Sequence, residues 1–132
     1  MAKAIIHAKS SARKFGGIPE DYLEIHNLMD SSKSVLSDNR HRALTHNSWF
    51  IYNIIERIFG VEISNSDGKK IPVKEIAEQH VLEDFNGRFI PSPQDYLQEI
   101  KYKNWMSGIG SPPSLARIEE DKKVTKIKFN ID

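Results

Sequence analysis

The sequence predicts a mainly α fold: a small helical bundle with one β-hairpin and a C-terminal strand. Three observations predict it. Apolar residues recur at helical spacing through about 19–36, 39–59 and 73–85. Asn65-Ser66-Asp67-Gly68 separates two short apolar runs, and Asp-Gly is a strong tight-turn signal. The tail KKVTKIKFNID alternates Ile127, Phe129 and Ile131, which is the period of a strand.

Near the start, HAKSSARKF has room for one or two helical turns before Gly16-Gly17 stops them. A first long helix runs from about Pro19 to Leu36. Pro19 suits its first position, and Glu20 and Asp21 suit the positive end of the dipole. Tyr22, Ile25, Met29 and Leu36 form its apolar stripe, with His26, Asp30 and Lys33 along the edge. Asp38 reads as the N-cap of a second helix, from about Asn39 to Phe59, with Gly60 past its end. Ala43, Phe50, Ile51, Ile54 and Ile58 share its core face. At about 100° per residue, Arg42, His46, Trp49, Asn53 and Arg57 share the opposite face. His41 turns away from that stripe towards Tyr52. Arg40 falls near the apolar face, where it would pack or pair internally.

A third helix follows Pro72, from about Val73 to Phe85. Its core face holds Val73, Ile76, Ala77, His80 and Asp84, so two ionisable residues at i, i+4 lie within an apolar stripe. Ser92 and Pro93 open a short fourth helix with Tyr96 and Leu97 inward. MSGIGSPPS is a loop. The chain is thus expected as a single domain over 1–132, with a core over about 5–106 and a loop and C-terminal strand or arm over 107–132. That strand would pair with the hairpin or with another subunit's edge.

A chain of 132 residues, 39% of them apolar, builds one core. The net charge of +1 argues against coating nucleic acid by bulk electrostatics, so any anion site must be a local cluster. With no cysteine there are no disulfides and no thiolate metal sites. The N-terminal residues lack the apolar core of a signal peptide, and no stretch is long enough to span a membrane. The expectation is a soluble protein in the cytoplasm of a bacterial host cell.

Three helices each carry a polar pair at near-helical spacing: His26 and Asp30, His41 and His46 beside Arg42, and His80 and Asp84. Imidazoles and carboxylates on neighbouring helices are how bundles assemble metal sites. A divalent metal there would activate water against a phosphate ester. The bland alternative is a buried His–Asp hydrogen bond that locks helix packing. No His-Asp dipeptide, H-E-x-x-H or E-x-x-H motif decides between them.

Arg13, Lys14, Lys33, Arg40, Arg42 and Arg57 form a cationic set over the first helical segments, with Ser10 and Ser11 as further donors. The guanidinium fork matches phosphate, and a helix N-terminus welcomes an anion. The alternative is a surface salt-bridge network with Asp38, Glu20 or Asp21. Trp49 and Tyr52 lie close enough in sequence to stack on a base, or belong to the core or a subunit interface. Asn65-Ser66-Asp67-Gly68 is read as a plain turn rather than a ligand loop.

HAKSSARKFGGIPEDYLEIH, DNRHRALTH, NSDGKKIPV and EQHVLEDF with IPSPQDYL and WM resemble a family of small uncharacterised bacterial and bacteriophage proteins, grouped as a domain of unknown function. The resemblance runs from about His7 to Met106. It implies motif positions at His7, His26, Asp30, Lys33, Arg40, His41, Arg42, His46, Asp67, His80 and Asp84, and no transferable activity. In size and context such a protein is similar in kind to viral sponge proteins that sequester nucleotide signals of bacterial immunity.

The leading expectation is therefore sequestration of a small anionic, nucleotide-type ligand, as a phage-encoded anti-defence protein would do. Lys33, Arg40, His41, Arg42, His46, Trp49, Tyr52 and Arg57 would hold it, with no catalytic residue and no cofactor. A wide apolar second helix and the alternating tail favour a homo-oligomer. The first alternative is a metal-dependent phosphohydrolase with a divalent metal on His26, Asp30, His41, His46, His80 and Asp84. The second is a protein-binding inhibitor module.

Overall fold

The first helix is longer than its composition suggests. In the computed structural model, which describes residues 3–113 and residue 122, α1 runs Ala4–Phe15 and ends where Gly16 turns to φ 88°. Its buried face is His7, Ala8 and Ser11, so helical packing hides behind polar letters.

The segment expected as one helix over about 19–36 is three pieces. A 3-10 turn Pro19–Asp21 leads into α2, Leu23–Asp30, and a second 3-10 turn Ser31–Ser34 follows. Serine hydroxyls explain the tightening after Asp30. Ser31 Oγ donates to the Leu28 carbonyl at 2.7 Å and Ser34 Oγ to the Ser31 carbonyl at 2.7 Å. Tyr22, Ile25, His26, Leu28 and Met29 are buried.

The expected helix over about 39–59 is also broken, and the break matters most for the site. A 3-10 turn Asn39–His41, capped by Asp38, runs into α3, Arg42–Thr45. At His46 the backbone leaves the helix, with φ −97° and ψ 59°. Asn47 then starts a new helical segment: its Oδ1 accepts the Phe50 N–H at 2.9 Å. Ser48 N–H goes to the Pro91 carbonyl at 2.8 Å. The new segment includes a π stretch, Phe50–Ile55, and ends as α4, Glu56–Phe59. A periodicity carried across His46 therefore loses its phase. Arg42 and His46 turn inward, whereas Trp49, Asn53 and Arg57 are exposed, so these five share no face.

β1, Glu62–Ser64, and β2, Lys70–Pro72, form an antiparallel hairpin with Ile63 opposite Ile71. Its turn is tied to the corner at Gly16-Gly17. Asp67 Oδ2 accepts Gly17 N–H at 2.8 Å, and Asp21 Oδ2 accepts Ser66 N–H at 2.8 Å. Asn65 Oδ1 accepts the N–H groups of Asp67 and Lys69, both at 3.0 Å. Gly17 sits at φ 72°, and a Cβ there would collide with the Asp21 carboxylate.

α5, Val73–Asp84, packs on α1, α2, the hairpin and the π stretch. The apolar core joins Tyr22, Ile25, Met29, Ile51, Ile55, Val73, Ile76, Ala77 and Val81. Each fully buried Ile or Val contributes about 1.5–3 kcal/mol of transfer free energy. α6, Pro93–Leu97, is capped by Ser92 and Asp95. Tyr96 reaches inward to donate its hydroxyl to the His46 carbonyl at 2.9 Å. Leu97, expected inward, is 56% exposed because α6 lies at the rim of the bundle. The expected C-terminal strand falls outside the described residues. Among those described, no helix is long and apolar enough to cross a membrane.

Candidate metal centre

The chain has five histidines, His7, His26, His41, His46 and His80, and none is more than 1% exposed. Histidine ordinarily sits at intermediate burial. Five buried together need partners, because an unpaired buried polar group costs free energy.

The bundle places them on four elements. α1 carries His7, and α2 carries His26 and Asp30 on its inner side. The break after α3 turns His46 into the core, with His41 edge-on to it at 5.3 Å between ring centroids. α5 contributes His80 and Asp84, one helical turn apart. One ligand atom each from Asp30, His46, His80 and Asp84 lies within 4.8 Å of all the others.

Asp84 is the hub. Its Oδ2 is 2.7 Å from His46 Nε2 and 3.3 Å from His80 Nε2, while its Oδ1 is 3.2 Å from His7 Nε2. His80 Nε2 is also 3.1 Å from Asp30 Oδ1. The far ring nitrogens are tethered. His46 Nδ1 meets Thr45 Oγ1 at 2.9 Å, and His80 Nδ1 meets His26 Nδ1 at 2.8 Å. His7 Nδ1 meets Glu83 Oε1 at 2.8 Å, and Ser10 Oγ donates to the other Glu83 oxygen. His41 Nδ1 meets Ser32 Oγ at 2.7 Å.

The electrostatics favour neutral rings at His26, His41 and His46 and ionised carboxylates at Asp30 and Asp84. Burial, reinforced by His80 and His7, pushes His26 down to about 2. Burial likewise pushes His46 down to about 4, against the pull of Asp84. His41 is lowered by burial. Burial raises Asp84, but the imidazoles of His46, His7 and His80 outweigh it and hold this carboxyl well below its usual range. Asp30 is lowered in the same way by His80 and Lys33 despite its burial. His7 is the exception: burial lowers it, but Asp84 and Glu83 outweigh the burial and raise it.

Several buried polar atoms have no hydrogen-bond partner among the described residues: His7 Nε2, His41 Nε2, Asp30 Oδ2 and Arg42 Nε. Two cations border the carboxylates. Arg42 Nη2 is 3.8 Å from Asp84 Oδ1, and Lys33 Nζ is 3.6 Å from Asp30 Oδ2. Lys33 is the more open of the two, with 28% of its side chain exposed.

The residues expected to hold a ligand are divided. Lys33, His41, Arg42 and His46 gather around the cluster. Arg40, expected near the apolar face, points into solvent and pairs with its own helix cap, Asp38, at 2.8 Å. Its side chain is 78% exposed because the 3-10 turn rotates it outward. Tyr52 donates to Glu78 Oε2 at 2.6 Å on the surface, and Arg57 is exposed. Trp49 lines an apolar cleft of about 420 Å³ with Leu44, Pro93, Tyr96, Leu97 and Ile100. Of the expected metal set, His26, Asp30, His46, His80 and Asp84 come together, with His41 one ring behind His46.

His7, Glu83, Thr45 and Gln79 belong to this centre but to neither expected set, and Ser11, expected only as a further donor to an anion, belongs to it too. The helical spacing of His7 and Ser11 was the signal available for two of them.

Residues 2–106 match the family described as Domain of unknown function (DUF6915), and the chain belongs to that family. No curated protein and no solved structure matches the chain.

Proposed function

We propose that the chain is a divalent-metal protein whose centre hydrolyses a small phosphate ester. The observation that carries this reading is the convergence of Asp30, His46, His80 and Asp84 to within 4.8 Å inside a helical bundle. Two imidazoles with two carboxylates suit Zn, Mn, Fe or Co, and with no cysteine in the chain there is no thiolate for softer ions. A neutral imidazole and an ionised carboxylate are the protonation states a metal ion requires.

The flanking cations supply the substrate class. With the charge of Asp30 and Asp84 taken up by the ion, Lys33 and Arg42 are left to hold an anion, and a guanidinium matches phosphate. An ion held by Asp30, His46, His80 and Asp84 would supply an acidified water as nucleophile; the new P–O bond would form as the ester P–O bond breaks, and the proton given up by the water would pass to the leaving alcohol oxygen.

The test is a chromogenic phosphomonoester and phosphodiester panel assayed with protein loaded with Zn, Mn, Fe or Co. The expected result is turnover that disappears with a chelator, returns with the ion and is lost in Asp84→Asn. Loaded protein that leaves every ester intact would overturn the hydrolytic step. Tight binding of an unaltered nucleotide through Lys33 and Arg42 would support sequestration instead.

A further inference from the structure

The imidazoles that face the carboxylates are each held at the opposite nitrogen, and the hydrogen-bond chains behind them leave little freedom. Resting on the metal-centre reading, we propose that Thr45 on one side, and Ser11, Gln79 and His26 on the other, are positioning residues. They hold His46 and His80 with a hydrogen on Nδ1, so that both Nε2 lone pairs face the ion.

The first chain starts at the Met29 carbonyl. It can only accept, and Thr45 Oγ1 donates to it at 2.6 Å. The single hydroxyl hydrogen is spent there. Thr45 Oγ1 therefore accepts at its 2.9 Å contact with His46, and His46 Nδ1 carries the hydrogen. His46 Nε2 is left facing Asp84 Oδ2 at 2.7 Å.

The second chain starts at the His7 carbonyl, which accepts from Gln79 Nε2 at 3.1 Å. That bond turns Gln79 Oε1 towards Ser11 Oγ, at 2.5 Å. The backbone partner of Ser11 Oγ, the His7 carbonyl at 3.1 Å, is also an acceptor. Whichever it chooses, Ser11 has spent its hydrogen. It accepts from His26 Nε2 at 2.7 Å. Among the described residues His26 forms no ion pair, so an imidazolium there would be buried without a carboxylate against it. His26 Nδ1 thus accepts at its 2.8 Å contact with His80, and His80 Nδ1 is the donor. His80 Nε2 is left facing Asp30 Oδ1 and Asp84 Oδ2.

His26 is then no ligand, although it is buried among the ligands. Metal-binding histidines typically have their second nitrogen fixed in this way, and loss of the partner weakens metal binding about 10–100-fold.

The experiment is nitrogen-15 NMR of histidine-labelled, metal-free protein in mildly alkaline solution, followed by zinc titration of variants. The wild-type protein should show protonated Nδ1 and lone-pair Nε2 at both His46 and His80. Thr45→Val should disturb the His46 signal and leave that of His80, and Ser11→Ala the signals of His26 and His80 and leave that of His46, each weakening zinc binding about 10–100-fold. Thr45→Ser, which keeps the acceptor, should restore both signal and affinity. A hydrogen on Nε2 of either ring in the wild-type protein would overturn the proposal. Correct ring signals in a protein that takes up no zinc would overturn the metal-centre reading and leave the tautomer assignment standing.

Discussion

Two clusters of polar residues meet different fates in this fold. At the hairpin corner, Asp21, Asn65 and Asp67 are satisfied by backbone N–H groups. Asp21 accepts from Ile18 and Ser66, Asn65 from Asp67 and Lys69, and Asp67 from Gly17. Between α1, α2 and α5, carboxylate oxygens instead face imidazole nitrogens, and His7 Nε2, His41 Nε2, Asp30 Oδ2 and Arg42 Nε have no hydrogen-bond partner among the described residues. The first arrangement is what a fold needs for itself. The second packs imidazole nitrogens against carboxylate oxygens and leaves polar atoms unmatched, Arg42 Nε among them, and such a set of nitrogens and carboxylates is what a cation would bind. Polar density alone does not mark a site; the balance of donors and acceptors does.

The contrast can be broken from either side. Asp84→Asn should have the largest effect, because it removes the charge at the hub while keeping the shape. Bound metal should fall by more than about 100-fold, measured by elemental analysis and by loss of zinc-induced thermal stabilisation. The same change at the corner, Asp67→Asn, should leave metal content unchanged.

Acid should come next. His26, His41 and His46 have folded-state values below the ordinary 6.5, so below that pH the unfolded chain binds protons that the folded one refuses. Their contribution is present above 6.5 and is lost as pH falls, for His46 down to about 4. His7 is raised and opposes this: its contribution is complete below 6.5 and is lost as pH rises through its folded value. Asp84 and Asp30 are lowered, so their contribution is full above the ordinary carboxylate range and is lost as pH falls through that range towards their lowered folded values. Denaturant unfolding of metal-free protein should therefore show stability falling by on the order of a few kcal/mol between about pH 6.5 and pH 4. Stability that rises over that interval would mean the buried rings are charged.

Gly17→Ala should cost about 1–3 kcal/mol, since the new Cβ meets the Asp21 carboxylate at a positive φ. Metal content should not change, which separates damage to the corner from damage to the centre. Arg40→Ala should be smallest of all. Its exposed pair with Asp38 touches neither cluster, and both melting temperature and metal binding should match the wild-type protein.

The hairpin was legible because turn chemistry is local: Asp67-Gly68 needs no distant partner to bend the chain. The inward face of α5 was legible because one unbroken helix keeps its phase from Val73 to Asp84. The stripe from Arg42 to Arg57 was misread because the phase resets at His46. Asn47-Ser48, a capping signal inside an apolar run, was the local hint of that reset. Helix α1 was underestimated because its buried residues, His7 and Ser11, find their partners far along the chain, at Glu83 and Gln79. Pairing between His26 and His80 is likewise invisible before the helices are packed.

The most direct measurement is elemental analysis of purified protein joined to thermal melts with added zinc, manganese, iron and cobalt. The expected result is about one divalent ion per chain and a melting temperature that rises with free ion and reverts with chelator. Protein that carries none of these ions and whose melting temperature ignores all four would contradict it.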